Sequence, residues 1–226
     1  MMKKNINQPS KLLLLLPADY RVNNPNIIKV IQADLNQWHG GKPHYLFMGT
    51  VGCGKTHLAE IIFKSIVTDL NNILEIYRAK ERKFDFSNPE SIENARIYNT
   101  KLDLAEIGIT GALDAIKTVT ASQLYWDYMN NDFRLPDPTI IFCLDDVGSE
   151  KDTPVSREVI ASTLTTLYER FKAGKNRFVI LTTNLSAESL KYRYGVRVND
   201  RLHEMCTILK FNKHSFRQEM LVTVEG

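Results

Sequence analysis

What the sequence lacks narrows its class. Three cysteines, Cys53, Cys143 and Cys206, occur in 226 residues, an odd number with no CxxC spacing. Such a set does not build a disulfide framework, and a reducing, cytoplasmic compartment is expected. Long apolar runs are missing too: no segment approaches the ~20 residues that a membrane-spanning helix needs, and no membrane association is expected. Leu12 to Leu16 is the nearest approach to an export signal, but Pro17, Asp19 and Arg21 follow at once. The run has neither the length of an export core nor a small-residue cleavage site. Charge of one sign is scarce as well. Lys and Arg exceed Asp and Glu by 29 to 26, a net +3 that neither demands nor opposes a nucleic-acid partner. Internal repeats and low-complexity segments are absent.

What is present is a hydrophobic content of 43%, enough for one large domain over 1–226 to bury a core without disulfides or structural metals. Asn24-Pro25 reads as a helix cap with proline in the first turn. Ile27, Ile28, Ile31, Leu35 and Trp38 then recur at helical spacing until Gly40-Gly41, so residues 1–43 form an N-terminal helical segment. Tyr45 to Met48 is a short apolar run stopped by glycine, a buried strand, and Leu58, Ile61, Ile62, Ile66 and Leu70 mark an amphipathic helix after Lys55. From 71 to 114 the pattern weakens, with a charged stretch Arg78 to Lys83 and a capped helix at Asn88-Pro89, and this segment reads as a surface insertion.

Residues 115–120 read as a strand and 121–130 as a helix carrying Leu124, Tyr125 and Tyr128. Pro136 and Pro138 bracket a turn before the apolar strand Ile140 to Leu144. Val159, Ile160, Leu164, Leu167 and Phe171 form another helical stripe closed by Gly174, and Arg177 to Thr182 is the next strand. Strands alternating with helices predict an α/β fold, a parallel sheet with helices on both faces.

Between the first strand and its helix lies Gly49-Thr50-Val51-Gly52-Cys53-Gly54-Lys55-Thr56. Glycines there let backbone amides turn inward around a polyphosphate, Lys55 supplies a cation to the outer phosphates, and the Thr56 hydroxyl is a ligand for Mg²⁺. The strand-loop-helix context separates this P-loop from a glycine-rich turn with an exposed lysine, although Lys55 is still expected on an exposed loop. Asp145 and Asp146 end the next apolar strand, a Walker B arrangement at the carboxyl edge of the sheet. Asp145 would hold Mg²⁺, and Asp146 would polarise an attacking water. Aspartate is one methylene shorter than the glutamate usual at this second position, so slow hydrolysis, or dependence on a partner, is expected.

Thr182-Thr183-Asn184 ends the following strand, where an amide can reach the γ-phosphate and the lytic water. The competing reading is a helix N-cap by Asn184 or Ser186. Arg197 and Arg201 stand four residues apart on one helix face. They read either as a solvated or salt-bridged surface or as a cation presented to a neighbouring subunit's γ-phosphate.

Through these four motifs the sequence resembles the AAA+ ATPases of the bacterial replicative-helicase-loader group, DnaC and DnaI, and their transposition relative IstB. The residues that carry the resemblance are Gly49 to Ala59, Leu144 to Ser149, Leu181 to Ser186 and Gly195 to Leu202, in the family's order over about 150 residues. The resemblance implies that Arg201 is an arginine finger with Arg197 beside it, that Asn184 is sensor 1, and that Arg217 in Ser215-Phe216-Arg217 is sensor 2. It places His57 and Arg217 with residues 49–56 around the nucleotide. Lys55, Asp146, Asn184 and Arg201 are the catalytic set, and Thr56 and Asp145 the metal set.

It further implies an ATPase using ATP and Mg²⁺, assembled as an ATP-dependent homo-oligomer. The expected partners are single-stranded DNA and a replicative helicase of the DnaB type, and the C-terminal helical lid is reduced or absent. An IstB-like regulator of a transposase is the alternative, and a P-loop small-molecule kinase the least favoured one. Two departures stand out. Loaders carry a separate helicase-binding N-terminal domain, whereas about 48 residues precede the loop here, and segment 71–114 is longer than the family's usual link.

Overall fold

The computed structural model describes residue 16 and residues 25–36, 44–79, 116–131, 141–174 and 178–211. Five strands, β1 (His44–Met48), β2 (Ile116–Thr120), β3 (Ile141–Val147), β4 (Phe178–Thr183) and β5 (Thr207–Lys210), form one sheet in the order β2-β3-β4-β1-β5. Every pairing is parallel. Six helices complete the described fold: α1 (Pro25–Asn36), α2 (Lys55–Ala79), α3 (Ala121–Met129), α4 (Pro154–Lys172), α5 (Ala187–Tyr194) and α6 (Val196–Met205). No helix among the described residues is long and apolar enough to cross a membrane.

The period-two alternation of strand side chains divides the core in two. Tyr45 and Phe47 of β1, Cys143 of β3, and Phe178 and Ile180 of β4 face α1 and α2, packing on Ile27, Ile31, Leu58, Ile62 and Ile66. Leu46, Phe142, Leu144, Val179 and Leu181 point the other way, into a cluster closed by α3, α4, α5 and α6. A sheet covered on both faces explains why β1 and β4 are apolar without interruption and buried at every residue. The parallel sheet with helices on both faces is therefore as expected.

Three local features differ from or extend the sequence reading. Helix α2 does not stop near Leu70 but continues to Ala79, inside the segment read as an insertion. Helix α4 begins before its apolar stripe, because Thr153 caps it, Ser156 answers in a capping box and Pro154 takes the first turn. Strand β5 was not anticipated. It has four residues of which only Leu209 is buried, too short and too mixed to stand out. The turn at Pro136 and Pro138, the helix at Asn88-Pro89, Trp38, most of segment 71–114, the C-terminal lid region and Arg217 lie outside the described residues.

Strand order sets up the site. Because β4 lies between β3 and β1, the carboxyl end of β4 stands between the loop after β1 and the acidic tip of β3. Open α/β sheets bind ligands at such carboxyl ends.

Candidate active site

The loop between β1 and α2 turns on glycine. Gly52 and Gly54 have φ of 79° and 91°, the left-handed region that side chains with a Cβ avoid. Gly49 has a different reason, since a Cβ there would meet the Phe211 side chain at 2.8 Å. Two backbone bonds fasten the loop's base: the Gly49 N–H donates to the Thr183 carbonyl at 3.2 Å and the Phe211 N–H to the Met48 carbonyl at 2.7 Å.

Lys55, the first residue of α2, is not on an exposed loop. Only 4% of it is accessible, because its Nζ is drawn inward. It donates to the carbonyls of Gly49 and Thr50 at 2.8 Å each and to Asn184 Oδ1 at 2.7 Å. The Cys53 thiol, also buried, lies 3.6 Å from the same nitrogen. Among the described residues no carboxylate pairs with this ammonium. A buried cation held by neutral acceptors alone is favourably placed for an anion, since unpaired buried charge is costly.

The acids occupy the tip of β3. The Thr56 hydroxyl donates to Asp145 Oδ1 at 2.9 Å and stands 3.1 Å from Oδ2. From the other side the Thr182 hydroxyl donates to Asp145 Oδ1 at 2.6 Å and accepts the Asp146 N–H at 2.9 Å. Asp146 takes φ of 54°, a conformation aspartate tolerates better than most residues. Asn184 Nδ2 reaches Asp146 Oδ1 at 3.3 Å, so one amide links the lysine to the second aspartate. Ser186, not Asn184, caps α5, accepting the Ser189 N–H at 3.1 Å. The two alternatives for this stretch thus fall to two residues, and Asn184 keeps its side chain for the site.

Val51, Gly52, Gly54, Lys55, Thr56, His57, Asp146 and Asn184 line an open cleft of about 200 Å³. That is below the roughly 300–1,000 Å³ of pockets that enclose whole small molecules, and it suits a phosphate tail. A glycine loop at a helix N-terminus and a lysine with no carboxylate partner among the described residues fit a polyphosphate. The Thr56 hydroxyl and Asp145 carboxylate are hard oxygen donors, and Mg²⁺ takes one or two such protein groups, with phosphate and water supplying the rest. His57 sits at the mouth, exposed, 3.9 Å from Glu60.

The arginines do not join this cleft. Arg201 lies on α6 with Nη2 3.1 Å from Glu169 and its guanidinium 5.1 Å above the Tyr168 ring. Arg197, one turn earlier, is exposed. Two features escaped the sequence reading. One is Thr182, whose only signal is a hydroxyl in a fully buried strand. The other is Glu150, a buried acid bonded to Arg193 and Tyr194 of α5.

The chain belongs to the AAA family, the ATPase family associated with various cellular activities, which matches residues 45–203. Its fold is similar to that in the crystal structure of the DnaC helicase loader, with a TM-score of 0.50 at 20% identity over 86% of this chain and 95% of that one. Comparison with curated proteins gives no match.

Proposed function

We propose that this protein hydrolyses ATP and uses it, as an ATP-dependent homo-oligomer on single-stranded DNA, to load or adapt a replicative helicase of the DnaB type. The observation that carries the ATPase reading is the bonded series from Lys55 through Asn184 to Asp146, beside the Thr56 and Asp145 pair. Lys55 offers its charge to the outer phosphates. Asn184 holds the Asp146 carboxylate and the lysine in fixed relation, so that a water in the cleft has an acceptor at Asp146. In the reaction the water oxygen bonds to the γ-phosphorus as the bond to the β-γ bridging oxygen breaks. The water's proton passes to the Asp146 carboxylate and then to solvent, while ADP leaves with the electron pair of the broken bond. Mg²⁺, held by Thr56 and Asp145 when bound, supplies neutralising charge on the phosphates.

Arg201 completes the proposal from a neighbouring subunit, where a guanidinium stabilises developing charge on the γ-phosphate. Its absence from the cleft of its own chain agrees with action in trans and requires it to leave Glu169. The helicase client is supported by the motif order and by the likeness to the DnaC helicase loader.

Two measurements test these readings. The chain should co-purify with a DnaB-type helicase, more strongly with ATP than without, and retention of a transposase in its place would redirect the client. For the composite site, Arg201→Ala is mixed with Lys55→Ala. Each alone should bind or hydrolyse poorly in its own way, and the mixture should regain part of the ATPase activity. Normal hydrolysis by Arg201→Ala alone, where wild type assembles, would reject the finger.

A further inference from the structure

The register of β3 against β4 slips at the site. Leu144 pairs with Leu181, but the next partners are Val147 and Thr183, so Asp145 and Asp146 together oppose Thr182. Two residues against one is a β-bulge, which breaks the ladder locally and re-aims side chains. A bulge leaves a backbone N–H in need of an acceptor, and here the Asp146 N–H goes to the Thr182 hydroxyl at 2.9 Å. The same hydroxyl has one proton to give, and that proton goes to Asp145 Oδ1 at 2.6 Å. Thr182 is 0% exposed, so water does not compete for either bond. Thr183, its neighbour, points elsewhere and donates to the Val147 carbonyl at 2.6 Å.

We propose that Thr182 is the positioning residue of this site, a single buried hydroxyl that sets both aspartates at once. Through its proton it orients the Asp145 carboxylate toward Thr56, and through its lone pair it holds the left-handed backbone of Asp146 that carries the second carboxylate to Asn184. Its partners are the two groups assigned to metal and water, so the proposal rests on the ATPase reading above. A merely structural threonine would be replaced by valine, its isostere, at a cost in stability alone. A positioning threonine fails as valine and works as serine, because serine keeps the donor and the acceptor.

The test compares Thr182→Val, Thr182→Ser and Asp146→Asn in the full chain with Mg²⁺, ATP and single-stranded DNA. Thr182→Val should lower kcat on the order of a hundredfold, the scale of a misplaced reacting group. Its affinity for a fluorescent ATP analogue at saturating Mg²⁺ should stay within about threefold of wild type, the scale of a contact the substrate does not make. Thr182→Ser should retain most of kcat. At saturating Mg²⁺, Thr182→Val combined with Asp146→Asn should add little further loss of kcat, because the part of its effect that reaches turnover passes through the Asp146 carboxylate.

A second readout needs no turnover. The Mg²⁺ concentration at half-maximal analogue binding should rise severalfold in Thr182→Val and stay near wild type in Thr182→Ser. Should Thr182→Val not fold, Thr182→Cys, with a weaker hydrogen-bonding group of similar size, takes its place in both assays. Wild-type kcat in the valine or cysteine variant, equal damage by serine and valine, or an unmoved Mg²⁺ midpoint would each overturn the proposal. The parent reading fails differently, by Asp146→Asn hydrolysing ATP like wild type, and the Mg²⁺ midpoint still decides on Thr182 in that event.

Discussion

Two polar networks meet at the carboxyl end of β3, one on Asp145 and Asp146 within the strand and one on Gly148 and Glu150 just beyond it, and they differ in how their charge is matched. One holds Lys55, Thr56, Asp145, Asp146, Thr182 and Asn184, and it opens on the cleft. The other is sealed. Glu150, 3% exposed, accepts from Tyr194 and from Arg193 Nε at 2.9 Å, and its second oxygen takes the Gly148 N–H at 3.0 Å. Arg193 also donates to the Glu150 carbonyl at 2.7 Å. Burial, reinforced by the Glu150 charge, pushes the Tyr194 phenol far above its ordinary range, so it stays a donor. Every charge in this second network is answered within the chain, which makes it a strut between the turn and α5. In the first network, among the described residues, the lysine's charge is answered by carbonyls and an amide, leaving a place for an anion.

The comparison predicts that the open network fails in function and the sealed one in stability. The largest effect is expected for Asp146→Asn, which cannot accept a proton at that position. Its kcat should fall by roughly 10²–10⁴, the usual worth of a general base, with Mg-ATP affinity and Tm near wild type. Steady-state turnover beside fluorescent-nucleotide titration measures both halves. Wild-type turnover would put the working carboxylate elsewhere.

Lys55→Ala should weaken nucleotide binding about a hundredfold or more, the worth of one or two charge-assisted bonds. Because Lys55 also bonds the Gly49 and Thr50 carbonyls, a drop of a few degrees in Tm should accompany it, with an unchanged circular dichroism spectrum. Unaltered affinity would remove the phosphate cradle from that loop.

Glu150→Ala should do the reverse. It leaves Tyr194 without its acceptor and Arg193 with only the backbone carbonyl of residue 150 and Asp152 at 3.7 Å, at a cost of about 3 kcal/mol, or roughly 6–12 °C in Tm for a chain of this size. Where the variant remains folded, its nucleotide affinity should be close to wild type. A stable variant with lost affinity would show that the strut belongs to the site.

How much of this was legible in the sequence follows from how local each cause is. The central strands were legible because burial on both faces demands unbroken apolar runs such as Phe178 to Leu181. The loop glycines were legible because left-handed φ at Gly52 and Gly54 is a local requirement. Lys55 was misjudged as exposed because one of the bonds that draw it inward comes from Asn184, 129 residues away in the chain. Thr182 passed as an ordinary strand residue, since threonine suits strands anyway. Glu150 passed as a turn acid until α5 brought Arg193 and Tyr194 to it. The choice between Asn184 and Ser186 as helix cap was open for the same reason: both residue types cap helices, and only the tertiary contacts of Asn184 with Lys55 and Asp146 separate them.

The smallest effect is expected where a network is matched but exposed. On the outer surface Glu204 of α6 accepts from Lys172 at 2.8 Å and from Tyr168 at 2.6 Å, both on α4. The Lys172 ammonium first, and the Tyr168 hydroxyl after it, hold the Glu204 carboxyl below its ordinary value of 4.5. The same carboxylate holds the Lys172 ammonium above its ordinary 10.5. A lowered carboxyl stabilises the fold above its unfolded value and loses that contribution as pH falls through the folded one. A raised ammonium contributes fully below its unfolded value and loses the contribution as pH rises through its folded one. Glu204→Gln should therefore differ from wild type most between those limits, and the two proteins should converge in acid. Both partners are solvated, so the Tm difference at neutral pH should not exceed about 3 °C and should shrink in 1 M salt. Thermal melts across pH and salt measure it. A loss as large as that of Glu150→Ala would mean that charge matching, and not burial, sets the strength of these networks, and the contrast drawn between the sealed strut and the open site would have to be redrawn on other grounds.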